Sequence, residues 1–290
     1  MVAWEMGWGY DSSLMRVEEF HQILRATGRY VTPAGMRKGR PQRAGFFATW
    51  SYAWCSVSRV LAAARAARCG EFDAMMWARI VFVAWRKAER KGGVITLDGF
   101  DHLTQVGGPV VYAANHMSML ETFILPAALI GHTPISIVLK ESLLRYPVFG
   151  PPLTQTQPIA VSRKNAREDL ALVLREGRAK LEAGRSVLLF PQGTRRPVFN
   201  GAEFNSLGEK LARQAGVPLV PVALQTDFQG IGRVIKDFGR VDPSRPIRFA
   251  IGEALGSEIP KGERHRRCVA FIEERLRDWG MPVVTDKGER

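Results

Sequence analysis

Cysteine is scarce in this chain. Cys55, Cys69 and Cys268 are the only three in 290 residues, and they form no CxxC pair and neighbour no histidine cluster. That argues against a disulfide framework and a zinc site, so a reducing compartment is the simplest reading and no metal is expected. A secretory signal is also missing, because Glu5 and Asp11 stand where a basic start and an apolar run are needed. No uncharged apolar stretch reaches the roughly 18 residues of a spanning helix. The nearest, residues 44–58, is bounded by Arg43 and Arg59, which favours monotopic attachment over crossing. A nucleophile elbow of the GxSxG type is absent, as are internal repeats and low-complexity tracts.

Acid is the most uneven deficit. From His21 to Gly70 there are nine Lys+Arg and no Asp or Glu, within a chain holding 41 Lys+Arg against 28 Asp+Glu, formally +13. Such a surplus implies an anionic partner: nucleic acid, an acidic membrane surface or phosphorylated substrates. The basic residues match no reading helix or RNA-binding motif, so nucleic acid is not expected. Phe46, Phe47, Trp50, Trp54, Val57 and Leu61 recur at helical spacing inside the acid-free region. Gly70 ends that helix, and a second follows over 71–91 with Met76, Ile80 and Val83. The resulting two-helix hairpin either packs both apolar faces on the rest of the chain or anchors at a membrane interface. The acid depletion, with Trp50, Trp54 and Trp77, favours an anionic membrane surface as partner.

From about residue 94 the texture changes. Short apolar runs at 94–97, 110–114, 135–138, 159–161, 186–190, 219–224 and 247–251 alternate with helical stretches at 118–130, 165–183, 206–215 and 264–279. This pattern predicts an α/β fold with a mainly parallel sheet flanked by helices, in which sites form at strand ends. Three regions follow: 1–92 as a basic, amphipathic helical element, 93–280 as the α/β domain, and 281–290 as a tail. Pro218 and Pro221 demote the 219–224 run to an edge or wall strand.

Two of these strand ends carry candidate chemistry. His116 follows the second strand, Ser118 can cap the next helix, and Glu121 falls in that helix's first turn. A carboxylate on one imidazole nitrogen fixes the tautomer and leaves the other nitrogen to take a proton. Without a serine nucleophile, His116 can deprotonate a substrate hydroxyl directly; the alternative is a structural histidine. "LFPQGTRRP", residues 189–197, ends the fifth strand in a sharp turn exposing backbone N–H groups and two arginines suited to phosphate. Alone it also reads as a solvated surface turn. In "VLKESLLRYPVFG", residues 138–150, Lys140 ends another strand before a turn at 147–150.

In order, "NHMSMLET", "KESLLRYPVFG", "FPQGTR" and "VPLVPVAL" resemble the four blocks of the glycerophospholipid acyltransferases, in particular the bacterial 1-acylglycerol-3-phosphate acyltransferase type, over roughly residues 94–255. The resemblance implies transfer of a fatty acyl group from an acyl-thioester, coenzyme A or acyl carrier protein, to a lysophospholipid hydroxyl. No cofactor is then needed beyond that co-substrate. It makes His116 the general base and Glu121 its orienting acid. Lys140 and Arg195 would hold the acceptor phosphate, Asn115 and Ser118 match the first block, and Gly193, Thr194 and Gln192 belong to the third. The implied placement is peripheral or monotopic on the cytoplasmic face of the cell membrane. Two positions depart from the family pattern, which usually has Asp at Glu121 and Glu at Gln192. Acceptors other than lysophosphatidic acid, or a catalytically silent lipid-binding homologue, are the alternatives.

Overall fold

The alternating apolar runs assemble, in a computed structural model describing residues 15–36, 46–90, 92–232 and 239–284, into one sheet between two helical layers. The elements run α1 (Val17–Thr27), β1 (Tyr30–Val31), α2 (Phe46–Arg68), α3 (Ala74–Arg90), β2 (Ile95–Asp98), α4 (Asp101–Thr104), β3 (Val111–Ala114), α5 (Leu120–Leu129), β4 (Ile135–Lys140), α6 (Gly150–Gln155), β5 (Ile159–Val161), α7 (Ala166–Glu182), β6 (Ser186–Leu189), α8 (Leu207–Ala215), β7 (Leu219–Gln225), β8 (Ile247–Ile251) and α9 (Glu263–Asp278). Among the described residues the sheet has eight strands in the order β1-β2-β8-β7-β3-β6-β4-β5. β1–β2 and β7–β8 are antiparallel and the remaining pairs parallel, so the sheet is mixed with a parallel majority.

Period-two alternation sorts the strand residues between two cores. Val110, Tyr112 and Ala114 face the layer containing α1, α3 and α5, where Phe20, Tyr30, Phe82 and Trp85 cluster. Val111 and Ala113 face α7, α8 and α9. With both faces covered, β3 is buried along its whole length, as an apolar run without polar alternation requires.

β7 departs from expectation. It lies in the interior of the sheet, between β8 and β3, despite Pro221. Leu219 exchanges both backbone bonds with Leu255, so its side of the strand, shared by Pro221, faces the extension of β8. The next pair is Val222–Ile251, so two residues of β7 oppose three of 252–254. That extra residue is a bulge, and it sits where proline has no N–H to give. Gly252 N–H still donates to Pro221 O at 2.9 Å. A Cβ at Gly252 would lie 2.6 Å from Pro221 Cγ, so proline and glycine fit as a pair.

The N-terminal hairpin forms as α2 and α3, but its faces divide differently from the sequence reading. Trp77 is buried against Phe72 in the core, whereas Trp50, Trp54, Val57 and Leu61 make an exposed stripe along α2. The side chains of Phe46 and Phe47 lie outside the described residues. α3 is tied to the sheet by a buried polar cluster: Arg86 bonds Glu89 at 2.6 Å, and Glu89 also accepts from Tyr30 OH at 2.7 Å and Thr32 Oγ1 at 2.8 Å. Helix α1 and strand β1 were not anticipated. α1 buries Val17, Phe20, His21 and Leu24 on one face and ends at left-handed Gly28. Of the tail expected at 281–290, residues 285–290 lie outside the described residues.

Candidate functional site

Adjacent parallel strands β7, β3 and β6 end along one edge, and this edge gathers the segments that the sequence separates. Asn115 continues β3 by side chain: its Nδ2 donates to Leu224 O at 2.9 Å and its Oδ1 accepts from Leu224 N–H at 2.7 Å. His116 is then gripped through its backbone. Its N–H donates to Gln192 Oε1 at 2.7 Å, and its carbonyl accepts from Arg196 N–H at 2.8 Å. The imidazole stacks on Phe190, with centroids 4.4 Å apart.

Helix α5 begins with Met119 at the N-cap, one residue later than Ser118. Ser118 nonetheless caps it, as expected: its Oγ accepts from Leu120 N–H at 3.1 Å, its hydroxyl donates to Glu121 Oε2, and Glu121 in turn accepts from Ser118 N–H, a capping box. The Glu121 carboxylate folds back over this turn. Oε1 accepts from His116 Nδ1 at 2.8 Å, Met117 N–H at 2.6 Å and Ser118 N–H at 2.8 Å. Oε2 accepts from the Ser118 and Thr226 hydroxyls. Burial alone raises this carboxyl's pKa, but the bonds and charge of His116, then Thr226 and Ser118, outweigh it and hold Glu121 below the usual carboxylate range. An ionised Glu121 can only accept, so Nδ1 carries a proton, and in the neutral imidazole the lone pair is then on Nε2. Nε2 has no hydrogen-bond partner among the described residues, which is the arrangement a general base needs.

The third block forms a tight turn. Gly193 takes φ +71°, and its N–H closes the turn on Phe190 O at 2.9 Å. Its N–H is therefore engaged, while Thr194 is exposed. Arg195 Nη2 lies 3.2 Å from Met119 Sδ, at the start of α5 and so beside the His116 turn. Arg196 points outward as expected, exposed and paired at the surface with Glu203 at 2.9 Å. Lys140 is exposed at the same edge, but two strands away from β3, roughly 10 Å at normal strand spacing.

Two contributors escaped the sequence reading. Thr226, the first residue past β7, is fully buried and completes the shell around Glu121. Its signal, a hydroxyl at a strand end, is meaningful only once β7 is known to neighbour β3. Arg163, two residues past β5, has φ +59°, uncommon for a residue with a Cβ. The Asp169 carboxylate enforces that conformation by accepting from Arg163 N–H at 2.8 Å and from Ser162. Burial, then the like charge of Arg195, push the Arg163 guanidinium below its ordinary pKa. The two guanidinium groups are thus within electrostatic range of each other. Asn115, Ser118 and Gln192, grouped from the sequence with substrate-binding residues, are instead buried and bonded to protein: they hold His116 and Glu121 in place.

The acyltransferase family model matches residues 94–225. A 1-acyl-sn-glycerol-3-phosphate acyltransferase of Pseudomonas aeruginosa is 30% identical over 215 residues, 74% of this chain and 77% of that protein. One of Chlamydomonas reinhardtii is 32% identical over 130 residues, 45% of this chain and 38% of that protein. Among solved structures, the 1-acyl-sn-glycerophosphate acyltransferase PlsC of Thermotoga maritima superposes with a TM-score of 0.60 at 15% identity, covering 81% of this chain and 95% of that one. At that identity the superposition speaks for the fold.

Proposed function

The chain belongs to the acyltransferase family, on the 1-acylglycerol-3-phosphate acyltransferase branch, and from that premise we propose that it acylates a lysophospholipid, 1-acylglycerol-3-phosphate, with His116 as general base. The observation that carries the proposal is His116 itself: Nδ1 is held by a buried, ionised Glu121, and Nε2 has no hydrogen-bond partner among the described residues. The donor is an acyl-thioester of coenzyme A or of an acyl carrier protein. As the acceptor hydroxyl oxygen attacks the thioester carbonyl carbon, Nε2 takes its proton. The tetrahedral intermediate collapses, the C–S bond breaks, and the thiolate recovers a proton from the imidazolium. Arg195 and Arg163 hold the acceptor phosphate, with Lys140 farther out along the edge. With Gly193 N–H spent in the turn, the backbone donor for the oxyanion is Thr194 N–H. The exposed stripe of α2 rests in the interfacial region of a membrane with anionic lipid, on its cytoplasmic face, and presents the lysolipid to the site. No helix of the described residues is long and apolar enough to cross a membrane.

The test is a donor and acceptor panel with wild type and His116→Ala. Wild type should acylate lysophosphatidic acid, and the variant should lose about 10²–10⁴-fold in rate with its fold intact by circular dichroism. Unchanged transfer by His116→Ala would remove the base, and acylation of a lysolipid without a phosphomonoester in preference to lysophosphatidic acid would replace the acceptor.

A further inference from the structure

Helix α9 ends in a Schellman motif: Gly280 at φ +72° donates to Arg277 O at 2.9 Å, and Met281 N–H donates to Leu276 O at 2.8 Å. The motif turns the chain back toward the strand-end edge. There residues 281–284 lie alongside the segment leaving the arginine turn. Phe199 N–H donates to Pro282 O at 3.1 Å and Val284 N–H donates to Phe199 O at 2.8 Å, forming a parallel bridge between Phe199 and Val283. Phe199 is buried and stands only three residues past Arg196, whose N–H holds the His116 carbonyl. Asn115, Gln192, Arg196, Phe199 and Met281 converge on a void of about 10 Å³, at or below the space one water needs.

We infer that residues 281–284 form a positioning strap that pre-orders the arginine turn for the acceptor's phosphate. The turn needs such help. Thr194, Arg196, Pro197 and Val198 are exposed, so packing alone does not fix its path. His116 shares one bond with the exposed part of this turn, from Arg196 N–H, but its imidazole is set by Glu121 and by Phe190 next to β6, and its N–H by buried Gln192. A loosened turn must order itself each time phosphate binds, which weakens acceptor binding and leaves the chemical step intact. The inference rests on the proposal that Arg195 and Arg163 hold the acceptor's phosphate.

Val284→Pro deletes the N–H that bonds Phe199 O, and Val284→Ala keeps it; the side chain is 42% exposed, so neither change opens the core. Steady-state kinetics with lysophosphatidic acid should show the proline variant's acceptor KM raised about five-fold, the value of one net hydrogen bond. Its kcat and its KM for the acyl-thioester should stay within two-fold of wild type, and Val284→Ala should match wild type. A chain ending at Gly280 should raise the acceptor KM further, with its melting temperature recorded beside it. An unchanged acceptor KM in Val284→Pro, or a parallel fall in kcat for both substrates, overturns the strap. A wild-type protein that acylates no phosphate-bearing acceptor overturns the functional reading instead, whatever the variants do.

Discussion

Glu121 serves several partners at once. Its carboxylate must accept from His116 Nδ1 on one oxygen and from Thr226 Oγ1 on the other, while also closing the 117–118 turn. The sequence showed the pair but not the third member, because Thr226 reaches it from 105 residues away. Arg163 was hidden for another reason: its left-handed backbone is imposed by Asp169 and has no sequence signature of its own. A non-glycine residue held there costs roughly 1–2 kcal/mol. Arg163→Gly should therefore leave thermal stability unchanged or slightly higher while raising the acceptor KM about 10–100-fold, the value of a charged hydrogen bond. Calorimetry beside initial-rate kinetics checks both signs, and a fall in stability with an unchanged KM would assign Arg163 a purely structural role.

Elements were more legible than their neighbours. Apolar run length and period located the strands from 94 onward, and the four helices expected there came within a few residues of their bounds, while the short α4 and α6 carry no such period. The sequence did not reveal that β7 runs through the sheet interior, since the bulge that accommodates Pro221 lies on another segment, at 252–254. Helix α3 is amphipathic, as its spacing predicts, and takes the first of the two placements its apolar face allows, packed on the rest of the chain. Arg86 and Glu89 look like a surface pair three residues apart on a basic helix, yet both are buried beneath Tyr30 and Thr32. Glu89→Ala should strand the Arg86 charge and cost about 3–5 kcal/mol in urea unfolding. A loss below 1 kcal/mol would mean that the guanidinium finds water.

For the whole molecule, the sheet separates two surfaces. The α2 stripe lies on the layer with α1, α3 and α5, and the α7–α9 layer covers the opposite face. Trp50 and Trp54, stacked 6.3 Å apart and about 60% exposed, are the most solvent-facing large apolar groups described. The double change Trp50→Ser with Trp54→Ser should lower sedimentation with anionic vesicles by about ten-fold or more, given the apolar area withdrawn from the interface. Raising salt should weaken wild-type binding further. Vesicle binding unaffected by the double change would move the membrane contact elsewhere on the surface.

Composition and order in the chain were enough to determine an α/β fold, a basic amphipathic N-terminal element, a histidine with its acid, and an arginine turn in a second block. Those features are local: each is written in spacing, charge or turn residues within about a dozen positions. Tertiary structure alone decided which strand ends meet. It brought Thr226 to Glu121, Arg163 to Arg195 and residues 281–284 to Phe199. Strand order and helix packing are settled by burying both faces of one sheet at once, a constraint no single segment contains.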